Sequence, residues 1–347
     1  MTRIVKVGNT VLGGGNRILI QSMTNSYTGD FSATFSQINE LKNAGCDIVR
    51  LAVCDMNEVE VCKRYLAECD IPLVADIQYD YKLAMACSDI GFDKIRFNPG
   101  NIGSDLKVKE LTEVCKRNST PIRIGVNAGS LDKEILNKYG RTAKGMAESA
   151  LYNVRLLERA GFYDTIISVK SSSVRETVKA YRILSAECDY PLHIGVTESG
   201  FGKSGILKSA IGIGSLLLDG IGDTVRVSLS GDPVQEVYAA KDILTALRLL
   251  NEKPEIISCP TCSRCKYDLE NVAKEVSAIC KDVNRGIRVA VMGCAVNGIG
   301  EASDADCGVA GSGDGRLVLF EKGKIIGTYT MDVALSQLKL LIEGKSI

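Results

Sequence analysis

The sequence of 347 residues contains one histidine and no tryptophan. A single imidazole leaves little room for a histidine-rich zinc site or for Ser-His-Asp catalysis. Net charge is also missing: 42 basic residues balance 42 acidic ones. No global field therefore recruits nucleic acid or an acidic membrane surface. Long apolar runs are absent too. The stretch Ala210–Leu218 is interrupted by glycines and closed by Asp219, far short of the ~20 residues a membrane helix needs. The opening MTRIVKVGNT lacks the apolar core of a secretory signal, so a cytoplasmic address is expected. Cysteine, by contrast, is plentiful. There are thirteen, an odd number, in a chain expected to stay in a reducing compartment. Free thiols are expected rather than a disulfide framework.

From about residue 18 to 250 one pattern repeats. A short β-branched run ends in a polar residue, and a helical stretch follows. The runs are ILIQSM (18–23), DIVRLAV (47–53), PLVADIQ (72–78), KIRFNPG (94–100), PIRIGVN (121–127), TIISVKS (165–171), PLHIGVT (191–197) and DTVRVSLS (223–230). Between them lie amphipathic segments such as 32–45, 57–69 and 143–161, several ending in glycine. Eight alternating units predict an α/β fold with a closed (β/α)₈ TIM-type barrel over residues 1–250. A doubly wound open sheet is the alternative. GGGN (13–16) precedes the first strong strand, so it reads as a turn and not as a dinucleotide fingerprint. GKS (202–204) fails as a phosphate loop because Thr197 occupies the required upstream glycine position.

After a linker at Asn251–Pro254 the pattern changes. Strands are expected at 255–259 and 287–293, a helix at 266–283, a Gly-rich loop after 293, a hairpin at 316–330 around Lys322 and Gly323, and a last helix at 333–344. This makes a small α+β domain over 255–347.

Barrel active sites lie at the carboxyl ends of the strands. Those ends carry Arg50, Asp76 with Gln78, Arg96 with Asn98, Arg123 with Asn127, Lys170, Thr197 with Glu198, and Arg226 with Ser228. Residues i and i+2 of a strand share a face. Five cations at one mouth imply a multiply anionic ligand such as a phosphate ester, because unpaired buried charge is too costly to repeat. Asp76 and Glu198 are either partners for those cations or acid–base groups. His193, in mid-strand, reads as a barrel-interior histidine.

The small domain contains SCPTCSRC (258–265) and VMGCAVNGIGE (291–301). Cys259, Cys262, Cys265 and Cys294 have the spacing of a thiolate site. Iron–sulfur, zinc and a redox dithiol all stay open on spacing alone. Cys46, Cys54, Cys62, Cys69, Cys87, Cys115 and Cys188 lack ligand spacing and read as small hydrophobes; Cys307 reads as structural.

Taken together, QSMTN (21–25), IVRLAV (48–53), IRFNPGN (95–101), IRIGVNAGSL (122–131), HIGVTESG (193–200), RVSLSGDP (226–233), SCPTC (258–262) and VMGCAVNGIGEASDADCGVAG (291–311) resemble the 4-hydroxy-3-methylbut-2-enyl diphosphate synthase family of the non-mevalonate isoprenoid pathway. The resemblance covers nearly the whole chain and suggests the two-domain bacterial form. It implies a barrel followed by a [4Fe–4S] domain, and reductive opening of 2-C-methyl-D-erythritol 2,4-cyclodiphosphate with electrons from ferredoxin or flavodoxin. It implies cluster ligands Cys259, Cys262, Cys294 and Glu301, with the carboxylate leaving one iron exchangeable. It implies diphosphate binding by Arg50, Arg96, Arg123, Asn127, Lys170, Arg226 and Ser228, with Asp76 at the same mouth and Glu198 as proton donor. A homodimer, in which one subunit's cluster domain closes over the other's barrel, is also implied. Three positions depart from the family: Gln78 replaces a histidine, Ile299 a proline, and Cys265 a residue that is usually not a thiol. Rival readings are a non-redox phosphate-ester lyase or transferase with structural zinc, and an electron carrier without catalysis.

Overall fold

The computed structural model describes residues 1–98, 101, 104–129, 131 and 133–345. Pro99 and Gly100, which close the fourth predicted run, lie outside the described residues, as does Ser130 in IRIGVNAGSL.

A two-stranded antiparallel hairpin, β1 (Val5–Val7) and β2 (Thr10–Leu12), opens the chain. Strands of three residues are too short to display a period of two, and the sequence pattern does not reveal them. Val5, Val7 and Leu12 pack with Leu19, Ile48, Val74 and Ile166 near the amino ends of later strands, so the hairpin floors the barrel. GGGN forms the turn after it, with φ of +78°, +64° and +78° at Gly13, Gly14 and Gly15. A Cβ on Gly13 would strike the Arg3 carbonyl oxygen, so this turn requires glycine.

The predicted alternation follows: β3 (Leu19–Met23), α1 (Phe31–Ala44), β4 (Ile48–Ala52), α2 (Met56–Glu68), β5 (Leu73–Asp76), α3 (Tyr81–Asp89), β6 (Lys94–Arg96), α4 (Asp105–Arg117), β7 (Ile122–Asn127), α5 (Lys133–Tyr139), α6 (Ala143–Arg159), β8 (Thr165–Lys170), α7 (Val174–Glu187), β9 (His193–Ile194), α8 (Gly202–Leu218), β10 (Thr224–Val225) and α9 (Pro233–Ala246). The eight parallel strands run β8-β7-β6-β5-β4-β3-β10-β9, and a parallel bridge from Ile167 to Leu192 closes the ring. Aspartate, serine or threonine caps helix after helix: Asp30, Asp55, Asp80, Ser104, Thr142 and Ser173 each accept a backbone N–H from the first turn. All but Thr142, which follows α5, end a loop that leaves a barrel strand, and so fix loops around the barrel mouth.

A second compact unit begins at Leu244, in the last turn of α9. It holds β11 (Glu255–Ser258), α10 (Leu269–Lys281), β12 (Arg288–Met292), α11 (Ala295–Glu301), β13 (Cys307–Gly311), β14 (Leu317–Glu321), β15 (Lys324–Tyr329) and α12 (Met331–Ile342). The sheet order is β11-β12-β13-β14-β15, parallel through β13 and antiparallel beyond it. Lys322 and Gly323 form the predicted hairpin turn, both with positive φ (47° and 75°), which matches the twist of the flanking strands. Apolar residues of α10 and α12 cover one face of the sheet. On the other face Ala290, Met292, Ala302, Ala310 and Phe320 pack together. The expected Gly-rich loop after β12 is corrected here: it contains α11 and leads to β13. The glycines are small for packing rather than for flexibility, since a Cβ on Gly298 would lie 2.6 Å from Met292 Cβ, and one on Gly308 would lie 2.5 Å from the Ala290 carbonyl.

Candidate active site

One cavity of about 160 Å³ opens at the carboxyl ends of the barrel strands. Arg50, Asp76, Gln78, Arg96, Arg123, Gly125, Asn127, Ser168, Lys170, Thr197, Arg226 and Ser228 line it. All eight residues expected at the diphosphate site therefore share one wall. Arg226, Ser228, Gln78 and Thr197 lie just past the ends of unusually short strands, so the mouth is built partly from extended loop. Asn98 turns elsewhere: its amide bonds both the carbonyl and the N–H of Gly125, at 2.9 and 2.8 Å. Glu198 is exposed, directly after Thr197, in the left-handed region at φ 51°. A non-glycine residue held there costs on the order of 1 kcal/mol, a strain frequent at functional loops.

The lining is short of negative charge. Asp76 lies 3.2 Å from Arg96 and 3.6 Å from Arg50. Burial alone would raise its carboxyl, but Arg50, Arg96, Arg123 and Arg226 outweigh that and hold it below the usual carboxylate range. Arg226 pairs with Glu236 of α9 at 3.1 and 3.3 Å, and Glu236 also accepts from Ser22 and from the Leu229 N–H. Met23 Sδ accepts from Arg50, with its Nε and Nη2 at 3.1 and 2.8 Å. Arg123 is only 2% exposed, and its Nε and one Nη have no hydrogen-bond partner among the described residues. Burial and neighbouring cations push Arg50 down to about 10, and Arg123 and Lys170 well below their ordinary values. Lys94, a further buried cation, donates to Gln21 Oε1 at 3.1 Å.

Glu236, Lys94 and Gln21 were not picked out by sequence reading. Glu236 comes from a helix and reaches the site from behind. Lys94 begins its strand, where a charge reads as solvent-facing. His193 is buried inside the barrel as expected, with Nδ1 2.8 Å from Thr224 Oγ1 and Nε2 3.3 Å from Lys170 Nζ.

In the second unit the three expected thiol ligands lie in loops that leave one end of the sheet. Cys259 follows β11 and its N–H bonds the Val291 carbonyl at 3.1 Å; Cys294 follows β12, the adjacent parallel strand. Cys262 is exposed in the next turn, while Cys259 and Cys294 are half-buried. Glu301 closes α11, seven residues beyond Cys294, which caps the start of that helix in extended conformation. The Glu301 side chain leans toward the helix amino end. Among the described residues, no three cysteine, histidine or acidic side chains already converge on one metal-sized point. The donor types nonetheless fit an iron–sulfur cluster: three thiols follow the ends of the adjacent parallel strands β11 and β12, and soft thiolates are the usual ligands of such clusters. Cys265 and Cys259 have similar surroundings: Cys259 Sγ bonds the Pro260 carbonyl at 3.2 Å and also packs against the unit's core. Cys265 Sγ bonds the Tyr267 carbonyl at 3.3 Å and packs against the same core.

The other cysteines behave mostly as predicted. Burial pushes the thiols of Cys46, Cys62, Cys115 and Cys307 up to about 12. Cys54 is the exception, exposed beyond β4 and not in the core.

The profile of the GcpE TIM-barrel domain matches residues 2–241, and that of the GcpE protein C-terminal domain matches residues 255–344. The chain belongs to the GcpE family. GcpE relatives span it almost end to end. One from Caldanaerobacter subterraneus subsp. tengcongensis is 53% identical, covering 99% of this chain and 97% of its own length. One from Clostridium perfringens is 52% identical, covering 99% and 98%. One from Fusobacterium nucleatum is 51% identical, covering 98% and 96%. Each carries the name 4-hydroxy-3-methylbut-2-en-1-yl diphosphate synthase (flavodoxin), so the resemblance read from the motifs stands. Among solved structures, dihydropteroate synthase from Stenotrophomonas maltophilia aligns with a TM-score of 0.51 at 12% identity, covering 71% of this chain and 97% of that one. The Xanthomonas albilineans enzyme aligns at 0.50 and 14%, covering 72% and 98%. These share the barrel fold with the GcpE chain. No helix among the described residues is long and apolar enough to cross a membrane.

Proposed function

We propose that this chain opens and dehydroxylates 2-C-methyl-D-erythritol 2,4-cyclodiphosphate to 4-hydroxy-3-methylbut-2-enyl diphosphate, using two electrons from flavodoxin or ferredoxin. The observation that carries the reading is the charge imbalance of the barrel cavity, where Arg50, Arg96, Arg123, Lys170 and Arg226 face one lining carboxylate, Asp76. The buried Arg123 guanidinium, with N–H groups unpartnered among the described residues, favours an anion with several oxygens, and the arginine fork matches phosphate geometry. The names of the relatives support the same substrate class and favour flavodoxin.

The five cations would hold the diphosphate, and Asn127 and Ser228 would add hydrogen bonds. Asp76 would keep Arg50 and Arg96 apart and aimed. Glu198, at the rim, would deliver the proton with which the departing hydroxyl leaves as water. Cys259, Cys262, Cys294 and Glu301 would hold a [4Fe–4S] cluster, the carboxylate being the weaker ligand. When bound, that cluster supplies single electrons and Lewis acidity. We further propose a cytoplasmic homodimer whose partner subunit brings its cluster to the barrel mouth.

Calorimetric titration tests the carrying observation. Inorganic pyrophosphate and the cyclodiphosphate should bind the intact protein, and Arg123→Met should weaken both by about tenfold or more, the worth of a charge-assisted hydrogen bond. Equal affinity in the variant would remove the cavity as the phosphate site.

A further inference from the structure

The chain's single histidine lies beneath the cavity, and the proposed chemistry makes no use of it. His193 begins β9 and is fully buried. Tyr181 Oη donates to its carbonyl at 2.5 Å, which fixes the backbone under the ring. Its Nε2 faces Lys170 Nζ and its Nδ1 faces Thr224 Oγ1. Two residues on, Gly195 leaves room for both the neighbouring strand and the amine: a Cβ there would stand 2.4 Å from the Arg226 carbonyl oxygen, 3.0 Å from Lys170 Nζ and 3.4 Å from its Cε. The amine thus occupies a slot with Gly195 on one side and the imidazole at its end. In its charged form the Lys170 amine only donates, so a nitrogen facing it then accepts.

We infer that His193 is a positioning residue for Lys170: a neutral imidazole, protonated on Nδ1, that donates to Thr224 Oγ1 and accepts the Lys170 ammonium at Nε2. The inference rests on the reading of the cavity as a diphosphate site, toward which the ammonium is held. The charges that act most on the ring are all positive: Lys170 from β8, Arg123 from β7, Lys94 from β6 and Arg50 from β4. Tyr181 from α7 and Thr224 from β10 are its hydrogen-bonded neighbours. Burial first, then those cations, push the imidazole well below its ordinary value, so the neutral form persists. A neutral ring accepts from the ammonium without adding a competing charge to the cradle.

Because there is one histidine, imidazole nitrogen NMR of the full-length, cluster-loaded protein reports a single residue. Nδ1 should carry the proton and Nε2 should be bare. The signals should stay fixed between about pH 8 and 5.5, and they should move in Lys170→Met. An imidazole titrating near the ordinary value of about 6.5, or protonated on Nε2, overturns the inference. Pyrophosphate titration gives the second arm. His193→Leu should bind about tenfold more weakly or worse, the loss expected for a hydrogen bond to a charged group. His193→Gln, whose Oε1 can replace Nε2 as acceptor, should recover most of that affinity. Undiminished binding in the Leu variant, or no recovery in the Gln variant, overturns the inference. Arg123→Met separates the two readings. If it binds pyrophosphate like the parent, the cavity reading falls and the NMR result alone decides His193.

Discussion

Glu236 anchors Arg226 from behind the barrel wall: Arg226 Nε lies 3.1 Å from one carboxylate oxygen and Nη2 3.3 Å from the other. Glu236 is 3% exposed, and it also ties down Ser22 and the Leu229 N–H. Breaking a buried pair by removing one partner costs about 3–5 kcal/mol. Glu236→Ala should lose stability of that order in urea denaturation, and Glu236→Gln, which keeps the hydrogen-bonding shape, should lose less. An Ala variant as stable as the parent would mean the pair anchors nothing.

Asp76 separates two arginines, and its removal should be felt as repulsion. Asp76→Asn should lower the melting temperature of the anion-free protein by several degrees, since about 1 kcal/mol corresponds to roughly 2–4 °C for a unit of this size. Inorganic pyrophosphate should restore more stability to the variant than to the parent, because it replaces the missing charge. A variant that melts like the parent, with the same response to pyrophosphate, would contradict the charge imbalance.

The cation cradle was legible because charges inside β-branched runs are rare and their strand ends must meet in a barrel. Arg50, Asp76, Arg96, Arg123, Lys170 and Arg226 needed only the period and the fold class to be brought together. Glu236 was hidden because helix position says nothing of which strand end it will reach. The segment Cys294–Gly311 was hidden for a different reason. Its glycines look like flexibility, yet Gly298 and Gly308 are small because Met292 and Ala290 press against them. Steric demand of that kind becomes visible only once the neighbours are in place.

The buried histidine carries a pH signature. Its folded value is depressed below the unfolded value of about 6.5. Below that pH the unfolded chain binds a proton that the folded chain refuses, so stability falls as pH falls. One such proton is worth about 1.4 kcal/mol per pH unit. Urea denaturation at pH 7 and pH 5.5 should show the parent losing about that much more than His193→Gln. Equal losses would mean that the imidazole titrates normally in the folded protein.

Replacement of the two doubtful ligands should give opposite results. Glu301→Ala should keep cluster absorbance after anaerobic loading but lose turnover, since three thiolates still hold the iron. Cys265→Ser should keep both, because the proposed ligand set of Cys259, Cys262, Cys294 and Glu301 is complete without that thiol. Loss of the cluster in Cys265→Ser would transfer the ligand role to Cys265, and full activity in Glu301→Ala would remove the carboxylate from the chemistry.

The central claim is that the barrel cradle and the cysteine domain serve one reductive reaction. Anaerobically purified protein, assayed for iron and sulfide and then supplied with reduced flavodoxin and 2-C-methyl-D-erythritol 2,4-cyclodiphosphate, tests it most directly. The account predicts brown protein with iron and sulfide at the stoichiometry of one [4Fe–4S] cluster, and release of the linear allylic diphosphate only when the reductant is present. Colourless protein that binds zinc in place of iron after reconstitution, or a cluster whose reduction is indifferent to the cyclodiphosphate and yields no product, would contradict it.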